Sequence, residues 1–116
     1  MNSIEQLSEW VKEAKSIVAL TGAGISTGSG IPDFRSASGI YSNGQNGNVF
    51  DLRAFDRTPE FFYLFARTFY PQVRAAEPNA AHRALAAMDN VTVVTQNVDD
   101  YHQRAGSDPV YTVHGN

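Results

Sequence analysis

Four clusters along the chain combine residue types that can do chemistry. The first is Gly22-Ala23-Gly24-Ile25-Ser26-Thr27-Gly28. Two glycines behind an apolar segment let a backbone turn sharply and approach a pyrophosphate, whose charge is met by unpaired N–H groups at a helix start. Ser26 and Thr27 add hydroxyls. The position where a GxGxxG fingerprint has its last glycine is Thr27, so a dehydrogenase-type motif is not satisfied. By itself the glycine pair does not choose between a phosphate cradle and an ordinary strand-to-helix turn.

The second cluster, Ser29-Gly30-Ile31-Pro32-Asp33-Phe34-Arg35, places an acid, an aromatic and a guanidinium side by side. Arg35 suits a phosphate or carboxylate fork, Asp33 suits hydroxyls, and Phe34 suits an apolar ring face. A surface turn with an Asp33–Arg35 pair is the plainer alternative. The third is Thr95-Gln96-Asn97-Val98-Asp99. Its donors and acceptors follow an apolar run, at the strand end where open α/β sheets bind ligands. An Asx turn with Asp99 opening the next helix fits the same residues. The fourth is His114, the side chain best suited to moving a proton near neutrality.

Elements of regular structure must position these clusters. Ser3 to Gln6 has the form of a capping box, and Ile4, Leu7, Val11 and Ala14 recur at helical spacing behind it. Ile17–Thr21 is short and almost wholly apolar, which predicts a strand buried on both faces. Residues 36–48 hold three glycines, three asparagines and three serines, a loop composition long enough for a lid. Thr58-Pro59-Glu60 opens a helix carrying Phe61, Phe62, Leu64, Phe65 and Phe69, a stripe expected to be core, which Pro71 should kink or end. A further helix is expected from Asn79 to Met88, then a strand at Val91–Thr95. A short helix from Asp99 to Arg104, closed by Gly106, and a strand at Val110–Val113 complete the series. Strands alternating with helices predict a doubly wound parallel sheet of the Rossmann-like α/β class, thin and incomplete with three strands.

Composition narrows the function classes. The 116 residues suit one domain, and the balance of 42% hydrophobic to 18% charged residues is globular. Nine Lys and Arg against twelve Asp and Glu, without a basic cluster, provide no footprint for nucleic acid. No apolar run approaches a membrane span, and the first residues lack the pattern of a secretory signal. With no cysteine there is no disulfide, no thiolate nucleophile and no Cys-ligated zinc in the sequence. A soluble cytoplasmic protein is the expectation.

Taken in order, Gly22–Ser26, Ser29–Arg35, Thr95–Asp99 with His102 and Ala105-Gly106, and His114-Gly115 resemble the motif series of the sirtuins, the NAD-dependent protein deacylases. Pro78-Asn79 with His82 resembles that family's proline–asparagine–histidine helix start. The resemblance runs from Val18 onward. It implies that Gly22, Ala23, Gly24, Ser26 and Thr27 line the diphosphate and its ribose, with Asp33, Phe34 and Arg35 beside the cofactor loop and Phe34 shielding the reactive sugar. It further implies that Gln96 and Asn97 contact the nicotinamide ribose, that Ile31 and Asp99 hold the carboxamide with Val98 in the same set, and that His114 is the general base. Catalytic status would then fall to His114 and Asn97. In the family's reaction an acyl-lysine carbonyl oxygen attacks the sugar as nicotinamide leaves, and the products are amine, nicotinamide and O-acyl-ADP-ribose. His82 and His102 are implied to be packing residues, and Tyr101 departs from the usual leucine.

The resemblance carries expectations about extent as well. Residues 1–35 and 76–116 would form the Rossmann part of one partial catalytic domain, and residues 36–75 the cofactor loop and a helical small module. A zinc module with four cysteines, and the strand that pairs with an acyl-lysine protein or peptide, would lie in a C-terminal portion beyond these residues. The chain alone is then expected to be an inactive fragment of an NAD-dependent deacetylase. A non-catalytic NAD or ADP-ribose binding module, and an NAD hydrolase or ADP-ribosyl transferase, are the alternatives.

Overall fold

A computed structural model describes residues 1–33 and 49–115. The expectations for Phe34, Arg35 and the 36–48 loop fall outside the described residues. By its contacts the chain divides into two units, one made of Met1–Gly22 with Ala80–Asn116 and the other of Ala23–Asn79.

The first unit holds a three-stranded sheet of β1 (Ile17–Thr21), β2 (Val91–Thr95) and β3 (Val110–Thr112), in that order and all parallel. Parallel pairing follows from the long connections between strands, since adjacent parallel strands need a crossover. The Cα register pairs Thr21 with Thr95 and Thr95 with Thr112, so all three C-terminal ends share one edge of the sheet. One sheet face is covered: Val91, Val93 and Thr95 of β2 are buried, as are Tyr101 and His102 of α6 (Tyr101–Ala105) and His82 of α5 (Ala80–Ala86). The other face is bare at its edge. Val18 and Leu20 are 69% and 70% exposed, which corrects the expectation of a strand buried on both sides. The cause is position: among the described residues β1 is an outer strand of the sheet, and none of those in its own unit covers Val18 and Leu20.

Ahead of β1, α1 spans Ser3–Glu13 and its capping box starts one residue earlier than the sequence pattern suggests. Asn2 accepts from the Glu5 N–H at 2.9 Å and its own N–H donates to the Glu5 carboxylate at 3.0 Å. A carboxylate in the first turn also complements the helix dipole, which Gln6 cannot do. At its far end, α6 closes on Gly106 at φ 106°, as expected from the sequence.

The second unit contains α2 (Ala23–Ser26), a 3-10 turn at Thr27–Ser29, α3 (Leu52–Arg57) and α4 (Pro59–Ala75). Helix α3 was not legible from the sequence; Asp51 caps it by accepting from the Arg53 N–H at 2.8 Å. The aromatic stripe of α4 splits between two faces. Phe62, Phe65 and Phe69 share one face at i, i+3, i+7 spacing, and Phe65 stacks on Phe69 at 4.7 Å. Phe61 and Leu64 point outward and are exposed, because five bulky residues within nine positions exceed one helical face. Helix α4 also runs through Pro71 to Ala75 instead of ending there. The proline withdraws one N–H from the ladder, and the Ala76 N–H to Gln72 carbonyl bond closes the turn beyond it. Thr58 precedes this helix without capping it and donates its hydroxyl back to the Ala54 carbonyl at 3.3 Å.

Candidate functional site

The C-terminal edge of the parallel sheet gathers several of the residues singled out from the sequence. β1 ends at Thr21 and passes to Gly22; β2 ends at Thr95 and passes to Gln96 and Asn97. The Gln96 N–H donates to the Thr21 carbonyl at 3.0 Å, continuing the ladder one residue beyond β2. Asn97 then leaves the ladder. Its backbone N–H donates to Thr95 Oγ1 at 3.1 Å, and its Nδ2 donates to the Gly22 carbonyl at 2.9 Å. One carboxamide thus ties the exits of two strands together and is held in a single orientation. Asp99 accepts from the Tyr101 N–H at 3.2 Å, the Asx turn read from the sequence. Val98 is exposed between them.

β3 delivers His114 to the same edge. The Val113 N–H donates to the Thr95 carbonyl at 3.0 Å, and a turn closed by the Gly115 N–H on the Thr112 carbonyl carries the histidine out as an exposed side chain. Gly22, Gln96, Asn97 and His114 are therefore neighbours along one sheet edge, where a parallel α/β sheet presents ligand-binding groups.

The second unit holds the rest of the first cluster and part of the second. Gly22 and Gly24 both avoid the left-handed region; among the described residues Gly30, Gly106 and Gly115 occupy it. The sharp-turn role expected of the pair therefore belongs to Gly30, at φ 90° after the 3-10 turn. Gly24 is exposed, and a Cβ built on it would meet nothing within 4 Å, as at Gly30, Gly106 and Gly115. Space beside a backbone with no protein atom to fill it is what close approach by a ligand requires. Thr27 commits its hydroxyl to the Gly24 carbonyl at 2.9 Å, while Ser26 and Ile31 are buried and Asp33 is half-buried. Asn79, noted in the sequence only for its motif, organises this segment. Its Nδ2 donates to the Ile25 carbonyl at 2.8 Å and to Ser29 Oγ at 3.0 Å, and it packs where a Gly28 Cβ would come within 3.2 Å.

A third group joins Thr21 to the two histidines that the resemblance implied to be packing residues. Behind the sheet edge, Thr21 Oγ1 lies 2.8 Å from His102 Nε2, and the His102 ring meets His82 edge-on at 4.9 Å. Burial lowers the pKa of both histidines below the usual 6.5. For His102 the neighbouring His82 charge adds to the lowering, and for both the Asp99 carboxylate opposes it. Both imidazoles are buried among core side chains, the packing position the resemblance implied. Tyr101 is fully buried beside them, with its ring 5.5 Å from His82 and the Arg104 guanidinium 5.4 Å from its centroid. No group of His, Cys, Asp and Glu suited to a metal ion occurs among the described residues, and no helix among them is long and apolar enough to cross a membrane.

Parallel strands that present a glycine, a carboxamide pair and a histidine at their C-terminal edge define an α/β protein of the Rossmann-like class. Residues 22–116 match the Sir2 family model, and the chain belongs to that family. It is 42% identical over 120 residues to NAD-dependent protein deacetylase 2 of Caldanaerobacter subterraneus subsp. tengcongensis, covering 99% of this chain and 48% of that protein. Against the NAD-dependent protein deacetylase of Thermotoga maritima it is 45% identical over 117 residues, covering 97% and 47%. A solved structure of a histidine-to-alanine variant of Sir2, with deacetylated p53 peptide and 3'-O-acetyl ADP-ribose, superimposes with a TM-score of 0.85 at 45% identity, covering 99% of this chain and 48% of that one. The chain spans about half the length of the curated relatives it matches.

Proposed function

We propose that this chain carries the NAD-binding part of an NAD-dependent protein-lysine deacetylase. The observation that carries the reading is the sheet edge where Asn97, bonded to Gly22, stands beside Gln96 and near the exit of His114. Family membership and the names of the relatives supply the cofactor and reaction class.

The described residues fit such a cofactor. Gly24 leaves open space beside its backbone, and Ala23, Ser26 and Thr27 accompany it on one short helix and turn, suited to a diphosphate. Gln96 and Asn97 would take the nicotinamide ribose. Asp99 and Ile31 would hold the carboxamide with Val98 in the same set, and Asp33 would sit beside the cofactor loop; the roles expected of Phe34 and Arg35, beside that loop with Phe34 over the sugar, lie outside the described residues. When bound, NAD supplies an activated ribose carbon from which nicotinamide departs. The chain's own contribution is positioning: Asn97 is fixed by its donors at two points before any ligand arrives, so little ordering remains to be done on binding. His114, exposed at the strand exit, is the group available to accept a proton from a ribose hydroxyl. An acylated lysine on a protein or peptide is the proposed second substrate, zinc is assigned to no residue of this chain, and a cytoplasmic setting is part of the proposal.

Calorimetric titration of the chain with ADP-ribose tests the binding step. Saturable binding lost in Asn97→Ala and Gly24→Ala supports it, and unchanged binding in both variants refutes it. Incubation with NAD and an acetyl-lysine peptide tests the chemistry. Deacetylation yields O-acetyl-ADP-ribose with nicotinamide, whereas free ADP-ribose alone marks hydrolysis and an ADP-ribosylated acceptor marks transfer.

A further inference from the structure

Thr21 and His102 lie 81 positions apart in sequence and meet at 2.8 Å, and neither belongs to the residues proposed to touch the cofactor. His102 is 1% exposed, and its Nδ1 has no hydrogen-bond partner among the described residues. That asymmetry assigns the tautomer. If the Thr21 hydroxyl donated to Nε2, the proton would sit on Nδ1 as a buried donor without an acceptor. Orphaned buried N–H groups are rarer than under-used acceptors. His102 therefore carries its proton on Nε2 and donates it to Thr21 Oγ1.

Thr21 is the last residue of β1, and the candidate site begins at its neighbour Gly22. The Thr21 carbonyl accepts from the Gln96 N–H, and the next carbonyl, that of Gly22, accepts from Asn97 Nδ2. Gly22 has no side chain to restrain its own torsions. The placement of its carbonyl therefore depends on the residue it follows and on the bond to Asn97. A threonine is stiff about χ1, and its rotamer is coupled to its backbone angles, so a bond that pins Oγ1 also pins the peptide leading into Gly22.

We propose that His102 is a positioning residue: by holding the Thr21 side chain it steadies the end of β1 and the start of Gly22, whose carbonyl, in the following peptide, orients the Asn97 carboxamide. The inference rests on the reading of Asn97 as a cofactor contact. It gives the buried histidine a task beyond filling the core, and it links the interior of α6 to the sheet edge through one hydrogen bond.

The test uses the whole chain labelled with 15N, with Thr21→Val, His102→Phe and His102→Gln variants. In the parent, the His102 imidazole should show a protonated Nε2 and an unprotonated Nδ1. Thr21→Val keeps the shape of the side chain and removes the acceptor. It should lower the exchange protection of the Asn97 side-chain amide about tenfold while the backbone amides of β2 keep theirs. His102→Phe should do the same, and His102→Gln, which can still donate to Thr21, should restore the parent signal. An unchanged Asn97 signal in Thr21→Val overturns the proposal, as does a proton on Nδ1. Should His102→Phe fail to fold, Thr21→Val decides the matter. An ADP-ribose titration keeps the two readings apart. If Asn97→Ala binds normally while Thr21→Val moves Asn97, only the cofactor reading fails. If Asn97→Ala loses binding while Thr21→Val leaves Asn97 in place, only the positioning role fails.

Discussion

Asn97 Nδ2 donates to the carbonyl of Gly22 at 2.9 Å, joining residues 75 positions apart in the sequence. Each residue stands just past the end of its strand, and the strands are adjacent and parallel. The bond therefore closes the sheet edge where the ladder itself gives out. It also consumes one end of a carboxamide whose orientation matters for any ligand held there.

Asn97→Ala removes that donor and leaves the half-buried Gly22 carbonyl without it. A net loss of about 1 kcal/mol in unfolding free energy is expected, read as a lower urea midpoint at unchanged slope. Affinity for ADP-ribose should fall by roughly tenfold or more, since a lost contact and a loosened strand exit act together. Stability and affinity both unchanged would remove Asn97 from the site.

Two glycines should respond in opposite ways. Gly24→Ala adds a methyl where no atom lies within 4 Å, in a short helix and away from positive φ. Stability should hold or rise by about 0.5 kcal/mol, because alanine restricts the unfolded chain. ADP-ribose binding should be lost nonetheless, as the methyl takes space meant for the ligand. Gly30→Ala places a side chain at φ 90° and should cost about 1–2 kcal/mol of stability. Thermal melts beside calorimetric titrations separate the two effects.

His114→Ala is expected to leave the melting temperature where it is, since the side chain is exposed and surface substitutions of this kind stay within about 0.5 kcal/mol. Within a completed catalytic domain that carries these residues, a nicotinamide-release assay with acetyl-lysine peptide should show that the same variant loses deacylation while keeping ADP-ribose binding. Retained deacylation would assign the proton transfer to another group.

Acid should destabilise the first unit through its two buried histidines. Burial lowers the folded-state pKa of His82 and His102 below 6.5, so the unfolded chain binds protons first as the pH falls. Their contribution is fully present above about 6.5, declines below it, and levels off once the pH passes under the folded values. Urea unfolding at pH 7.5 and at 5.5 should show the loss, and His102→Gln should reduce it. An identical pH dependence in that variant would remove His102 from the acid sensitivity and leave His82 as its source.

The local elements were largely legible because each has a local cause. β2 reads from five consecutive residues that are all Val or Thr, and α6 from the Asx turn before it and Gly106 after it. α3 escaped notice because its only marker is Asp51 ahead of a short segment half of whose residues are charged, with no periodic stripe long enough to count. The outward turn of Phe61 and Leu64, and the bare face of β1, were not legible either. Burial depends on what packs opposite, and composition does not record that.

The sequence by itself determined which chemical groups the chain carries and the order in which they arrive. Gly22 to Ser26, Gln96-Asn97 and His114 each follow a strand, and a strand's end is a property of nearby residues. Tertiary structure alone decided the partnerships. That Asn97 bonds Gly22, that Thr21 meets His102, and that Asn79 organises Ile25 and Ser29 follows from strand register and helix packing. Those contacts span 50 residues or more, and a hydrogen bond a few tenths of an ångström longer would weaken each of them. The physical reason is range: propensity and capping act over a few residues, whereas the geometry of the site is set by which strand lies beside which.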